Sequence, residues 1–172
     1  GGLFAFIGDG AVVDSLRMEV SQGLKMSAAL ALENKGLVDY VKVVADTIDV
    51  DGGLVYENEG TIRNSTFKGS IKDGSGLVTT NKGLISSCTT WVDVFDARYN
   101  GGSGFVNENR GTIENSVANG SIKGRDVAGF ALKVNADGVI RNSHASVDVN
   151  GAGFVQADFG DVVNCFATGT AF

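Results

Sequence analysis

One stretch of this sequence is nearly a copy of another. Gly53-Leu54-Val55-Tyr56-Glu57-Asn58-Glu59-Gly60-Thr61-Ile62-Arg63-Asn64-Ser65 aligns with Gly104-Phe105-Val106-Asn107-Glu108-Asn109-Arg110-Gly111-Thr112-Ile113-Glu114-Asn115-Ser116, and both run on into Gly-Ser-Ile-Lys, at Gly69 to Lys72 and Gly120 to Lys123. A repeat of this length cannot bury an apolar face alone, so copies must stack on one another. Carried along the chain, the frame opens a coil at Gly2, Ala29, Gly53, Gly76, Gly104, Gly129 and Gly153, with spacings of 27, 24, 23, 28, 25 and 24. Residues 1–172 therefore read as a single domain of about seven coils.

The columns of this alignment define the coil. A second glycine closes the first turn at Gly10, Gly36, Gly60, Gly83, Gly111, Gly138 and Gly160, where a positive φ is the expected reason. Two residues on stand Val12, Val38, Ile62, Ile85, Ile113, Ile140 and Val162, all β-branched, which predicts a core-facing strand. Beside the opening position, Leu3, Leu30, Leu54, Leu77, Phe105, Phe130 and Phe154 predict a second inward column. Four residues past the turn glycine the column is Asp14, Tyr40, Asn64, Ser87, Asn115, Asn142 and Asn164, and stacked amides at Asn64, Asn115, Asn142 and Asn164 can bond from coil to coil. Val13, Asp39, Arg63, Ser86, Glu114, Arg141 and Val163 fall between the two columns and are expected to face outward.

Short strands in register every 23 to 28 residues, with no room for a crossover helix, stack as an all-β, right-handed parallel β-helix. Seven coils make a rod of about 34 Å. A leucine-rich horseshoe would need a Leu-x-Leu and Asn signature that is missing. An antiparallel sandwich would not hold one residue type per column over seven copies.

At Gly53-Leu54-Val55, Gly76-Leu77-Val78, Gly104-Phe105-Val106 and the paired Gly-Thr-Ile-x-Asn-Ser strings, the chain resembles the GLUG-repeat proteins of bacterial surface and secreted polypeptides. The resemblance is close over residues 53–172 and weaker over 1–52. The fourth residue of the Gly-Leu-Val-Gly element differs here, as Tyr56, Thr79, Asn107, Leu132 and Gln156. The resemblance implies a stalk or contact surface of a large adhesin, with no catalytic motif to carry over. Related β-helices form phage tailspikes and polysaccharide lyases, so binding or degrading polysaccharide is the alternative.

A net charge of −6 with no basic run argues against nucleic acid, and the apolar runs are too short for direct membrane insertion. Cys88 and Cys165 replace serine in one column, three coils or roughly 14 Å apart, and so predict free thiols and no disulfide. His144, the single histidine, reads as a surface residue in the column of Leu16, Lys42, Thr66, Thr89, Val117 and Phe166. No metal or cofactor motif is present. Asp46, Asp49 and Asp51, and Asp93 and Asp96 beside Arg98, are the carboxylates that a glycan-cleaving site would draw on, though solvated turns are the simpler expectation.

The densest aromatic group is Trp91, Phe95 and Tyr99 with Arg98, a composition suited to a carbohydrate or protein contact. The simpler expectation is that Trp91 and Phe95 turn inward to fill a widened coil. The chain opens and closes within coils that lack bulky caps, so the partners expected are flanking domains or other copies at the ends, with a host-surface glycan or protein at the side. The expected setting is extracellular, on a cell surface or a virion fibre.

Overall fold

The computed structural model describes residues 1–21, 25–97 and 101–172. Among these there is no helix, and so none long and apolar enough to cross a membrane. Every strand pair is parallel and joins one coil to the next. With no proline anywhere, each residue keeps the N–H that such pairing needs.

Each coil contributes a four-residue strand to a first sheet, as in Val55–Asn58, and a three-residue strand to a second, as in Thr61–Arg63. The inner coils then add a longer strand to a third, as in Thr89–Ala97, and the first and last coils a short one. Seven strands stack in each of the first two sheets. The result is a parallel β-helix of about six turns from first rung to last, consistent with right-handed winding.

The inward columns fill the tube. Leu30, Leu54, Leu77, Phe105 and Phe130 are fully buried, and the rings of Phe105, Phe130 and Phe154 stack at 4.6 and 4.8 Å. Val38, Ile62, Ile85, Ile113 and Ile140 form the β-branched wall of the second sheet.

The first coil departs from the sequence frame by one residue. Val13, not Val12, pairs with Val38, and Val12 is 60% exposed. Leu16 packs on the core, and Arg17 takes the outward place beside Lys42. The cause lies between Ile7, which pairs with Asn34, and Ala11, whose carbonyl accepts the N–H of Leu37 as Gly36 does for Thr61. Three residues bridge that turn where Lys35 alone suffices in the second coil. Because strand periodicity is two, a slip of one exchanges inside for outside.

The turn glycines are conserved along the rod for a reason other than backbone angle. Of the seven, only Gly10 has a positive φ. At Gly36, Gly60, Gly83, Gly111, Gly138 and Gly160 an added Cβ would lie 2.1–2.4 Å from a carbonyl oxygen of the coil before. At these positions the coils approach too closely for any side chain.

The left-handed conformation occurs instead at Ser15, Tyr40, Asn64, Ser87, Asn115, Asn142 and Asn164, each with φ between 49° and 55°. Asn recurs there because it tolerates that region best among residues with a side chain. Most of this column is exposed or half-exposed. Among the described residues one Asn–Asn amide bond forms in it, Asn164 Nδ2 donating to Asn142 Oδ1 at 2.8 Å.

The continuous amide ladder is inside, at a different column. Asn34, Asn58, Asn81 and Asn109 are fully buried at the ends of first-sheet strands. Each Nδ2 donates to the next Oδ1 at 2.8 Å, from Asn34 to Asn58, Asn58 to Asn81, and Asn81 to Asn109. The ends are satisfied too: Gly36 N–H donates to Asn34 Oδ1, and Asn109 Nδ2 donates to the carbonyls of Gly111 and Val139. Ile7 and Val134 take this column in the flanking coils, so the ladder spans coils two to five.

A second polar line closes the corner after the second sheet. Ser65, Ser116 and Ser143 each donate to the carbonyl two residues back and accept an N–H from the coil before. Cys88 and Cys165 stand in the same column, their thiols directed at Ser86 and Val163 carbonyls.

Candidate functional site

From Thr89 to Phe95 the long strand Thr89–Ala97 alternates strictly, with Thr90, Val92 and Val94 inside. Trp91, Asp93 and Phe95 therefore point outward, and Trp91 and Phe95 are each 48% exposed. This reverses the expectation that they fill the coil. The valines already occupy the inner slots, and the alternation breaks only after Phe95, too late for either aromatic to cross over. Trp91 lies between Lys68 and Asn119 on the neighbouring rungs, and Asp93 between Ser70 and Ser121. The face is flat and mixed in polarity. Arg98 and Tyr99, the other members of the expected patch, lie outside the described residues.

A concave site lies elsewhere, where the third sheet turns into the first. Asp51, from the end of Lys42–Gly52, walls a groove of about 440 Å³. Three successive first-sheet strands floor it with Tyr56, then Thr79 and Thr80, then Asn107 and Glu108. Tyr56 is 39% exposed, and the Asn107 Oδ1 accepts the hydroxyl of Ser103 at 2.8 Å.

The two carboxyls of this groove are pushed apart. Burial raises the Asp51 pKa, with Asp49 and Asp73 adding to it and Lys25 opposing. Glu108 is desolvated as well, yet bonds from Asn135 and Arg110 hold its carboxyl below the ordinary value. Sequence reasoning did not assemble this site. The trace it left is that Tyr56, Thr79 and Asn107 all hold the fourth place of the Gly-Leu/Phe-Val-x string, stacked on successive coils.

The remaining carboxylates are dispersed. Asp46 and Asp93 are exposed, and Asp49 faces Lys25 at 4.0 Å. Among the described residues no group of three or more His, Cys, Asp or Glu is placed to hold a metal ion. His144 is half-buried, its ring stacked on Phe166 at 4.8 Å and 2°. On the second sheet, Asp39 is buried against Arg63 at 2.7 Å and Asn64 at 2.9 Å, and the Arg63 bond is the main cause holding its carboxyl below the usual range.

Cys88 and Cys165 are free thiols. Burial pushes the Cys88 thiol up to about 12 and raises that of the half-buried Cys165. A thiol reacts through its thiolate, so a disulfide reagent at mildly alkaline pH should modify Cys165 first and Cys88 only on unfolding. Mass mapping of the labelled sites checks this, and rapid native labelling of Cys88 would contradict the packing described.

No protein-family model, curated protein or solved structure matches the chain. The surfaces themselves must therefore carry the functional argument. A stiff stack of in-register rungs holds outward side chains at fixed spacing with little ordering left to do on contact.

Proposed function

We propose that this chain is a structural and adhesive β-helix module of an exported surface protein or fibre, in the manner its resemblance to GLUG repeats implies. It acts as a rigid spacer and contact surface, without turnover. The observation that carries this is the pair Trp91 and Phe95, half-exposed on a flat sheet whose interior slots are filled by valine. Large aromatics held rigidly on a surface supply contact area at small entropic cost.

The test is binding to a panel of immobilised host-surface proteins and glycans, with product analysis of each glycan. Trp91→Ala and Phe95→Ala should each weaken binding by roughly tenfold or more while the melting profile is kept. Undiminished binding by both variants would overturn the contact-face reading, and release of shortened glycan would overturn the absence of turnover.

The end rungs bear on assembly. Leu3, Phe4 and Phe6 are exposed on the first rung, and Phe159, Val163 and Phe166 on the last. Such apolar strand edges suit stacking of further coils, from flanking sequence or from another copy. Sedimentation over a wide concentration range reads the second case: growth with concentration supports it, and a constant monomer removes other copies as partners.

A further inference from the structure

We propose that the groove floored by Tyr56, Thr79, Thr80, Asn107 and Glu108 and walled by Asp51 is a binding site for a neutral saccharide chain. This rests on the contact-module reading for its biological setting. It occupies a different part of the surface from Trp91 and Phe95, so the two can fail separately.

The groove's 440 Å³ lies within the range of small-ligand sites. It crosses three rungs, two steps of about 4.8 Å, so it accepts an extended ligand more readily than a compact one. Its lining combines one exposed aromatic ring with hydroxyl, amide and carboxylate groups. That is the chemistry a sugar presents in mirror image: an apolar ring face edged by hydroxyls that both donate and accept. A purely apolar ligand would desolvate those polar groups without replacing the bonds that water makes to them.

Charge narrows the class further. Asp51 and Glu108 line the groove, and Asp49 and Asp73 lie close enough to act on Asp51. A uronate or sulfated chain would meet repulsion there, as would a phosphate backbone. The floor is also rigid, because Asn58, Asn81 and Asn109, three of the four members of the buried ladder, end the same three strands.

The experiment is titration calorimetry of the full chain against neutral and uronate-containing oligosaccharides, with Tyr56→Ala, Tyr56→Phe and Trp91→Ala alongside and a thermal melt of each. The expected result is millimolar or tighter binding of a neutral oligosaccharide, weakened tenfold or more by Tyr56→Ala. Tyr56→Phe should retain most of the affinity, Trp91→Ala all of it, and the acidic chains should not bind. The proposal is overturned if no neutral chain binds, if acidic chains bind equally well, or if Trp91→Ala removes binding while folded Tyr56→Ala keeps it.

Discussion

Gly83→Ala should destabilise the rod by about 3 kcal/mol or more, at the upper end of what overpacking costs, because the new methyl would sit 2.1 Å from the Gly60 carbonyl oxygen. The neighbouring atoms are backbone, so no side chain can move aside. Gly10→Ala provides the comparison. Its added carbon would meet nothing within 4 Å, and the cost is confined to the φ of +74°, about 1–2 kcal/mol. Denaturant titration of the two variants separates close coil approach from backbone angle as the reason for the glycine column. Equal losses would contradict close coil approach as the reason. In a solenoid each coil touches only its neighbours, so a weakened contact at Gly83 should also split unfolding into two steps, at the boundary between the third and fourth coils.

Asn81→Leu should cost about 2–6 kcal/mol, since it leaves two buried ladder groups without their main partner at about 1–3 kcal/mol each. Asn58 Nδ2 would keep only its longer bond to the Gly60 carbonyl at 3.3 Å, and Asn109 Oδ1 would lose its donor from Asn81. Leucine fills comparable volume, so the loss reports hydrogen bonding more than a cavity. Asn164→Ala, on the exposed corner, should change stability by no more than about 0.5 kcal/mol. If the two substitutions cost the same, the buried ladder is not what holds the central coils together.

Much of the fold was legible because the repeat constrains whole columns. The isoleucines from Ile62 to Ile140 and the Leu/Phe line from Leu30 to Phe130 face inward as their periodicity requires. The first coil misled because Gly10 stands one place before Ala11, which the pairing of Val13 with Val38 makes the counterpart of the turn glycine Gly36. The ladder was visible as Asn-x-Gly at Asn34, Asn58, Asn81 and Asn109, but the later Asn column is equally regular in sequence. What separates them is local against tertiary physics: the later asparagines answer to φ, and the earlier ones to burial beside identical neighbours.

The surfaces were less legible. Strict alternation through Thr-Thr-Trp-Val-Asp-Val-Phe already implies that Trp91 and Phe95 share a face opposite Val92 and Val94. Their placement could have been read from that run instead of from their size. The groove could not. It depends on Asp51 arriving from the preceding coil at a corner whose curvature no local pattern encodes.

Both candidate surfaces share one structural basis. Tyr56, Thr79 and Asn107 lie on ladder strands, and Trp91 follows Asn81 in the same coil. Buried asparagines and close-packed glycines make coils two to five the rigid part of the rod, which presents these side chains ready for contact. Native-state amide exchange resolved by coil tests it most directly. The account predicts slowest exchange in the strands bearing Asn34, Asn58, Asn81 and Asn109 together with Thr89–Ala97, and faster exchange in the first and last rungs. Exchange through Thr89–Ala97 as fast as in the end rungs would contradict it.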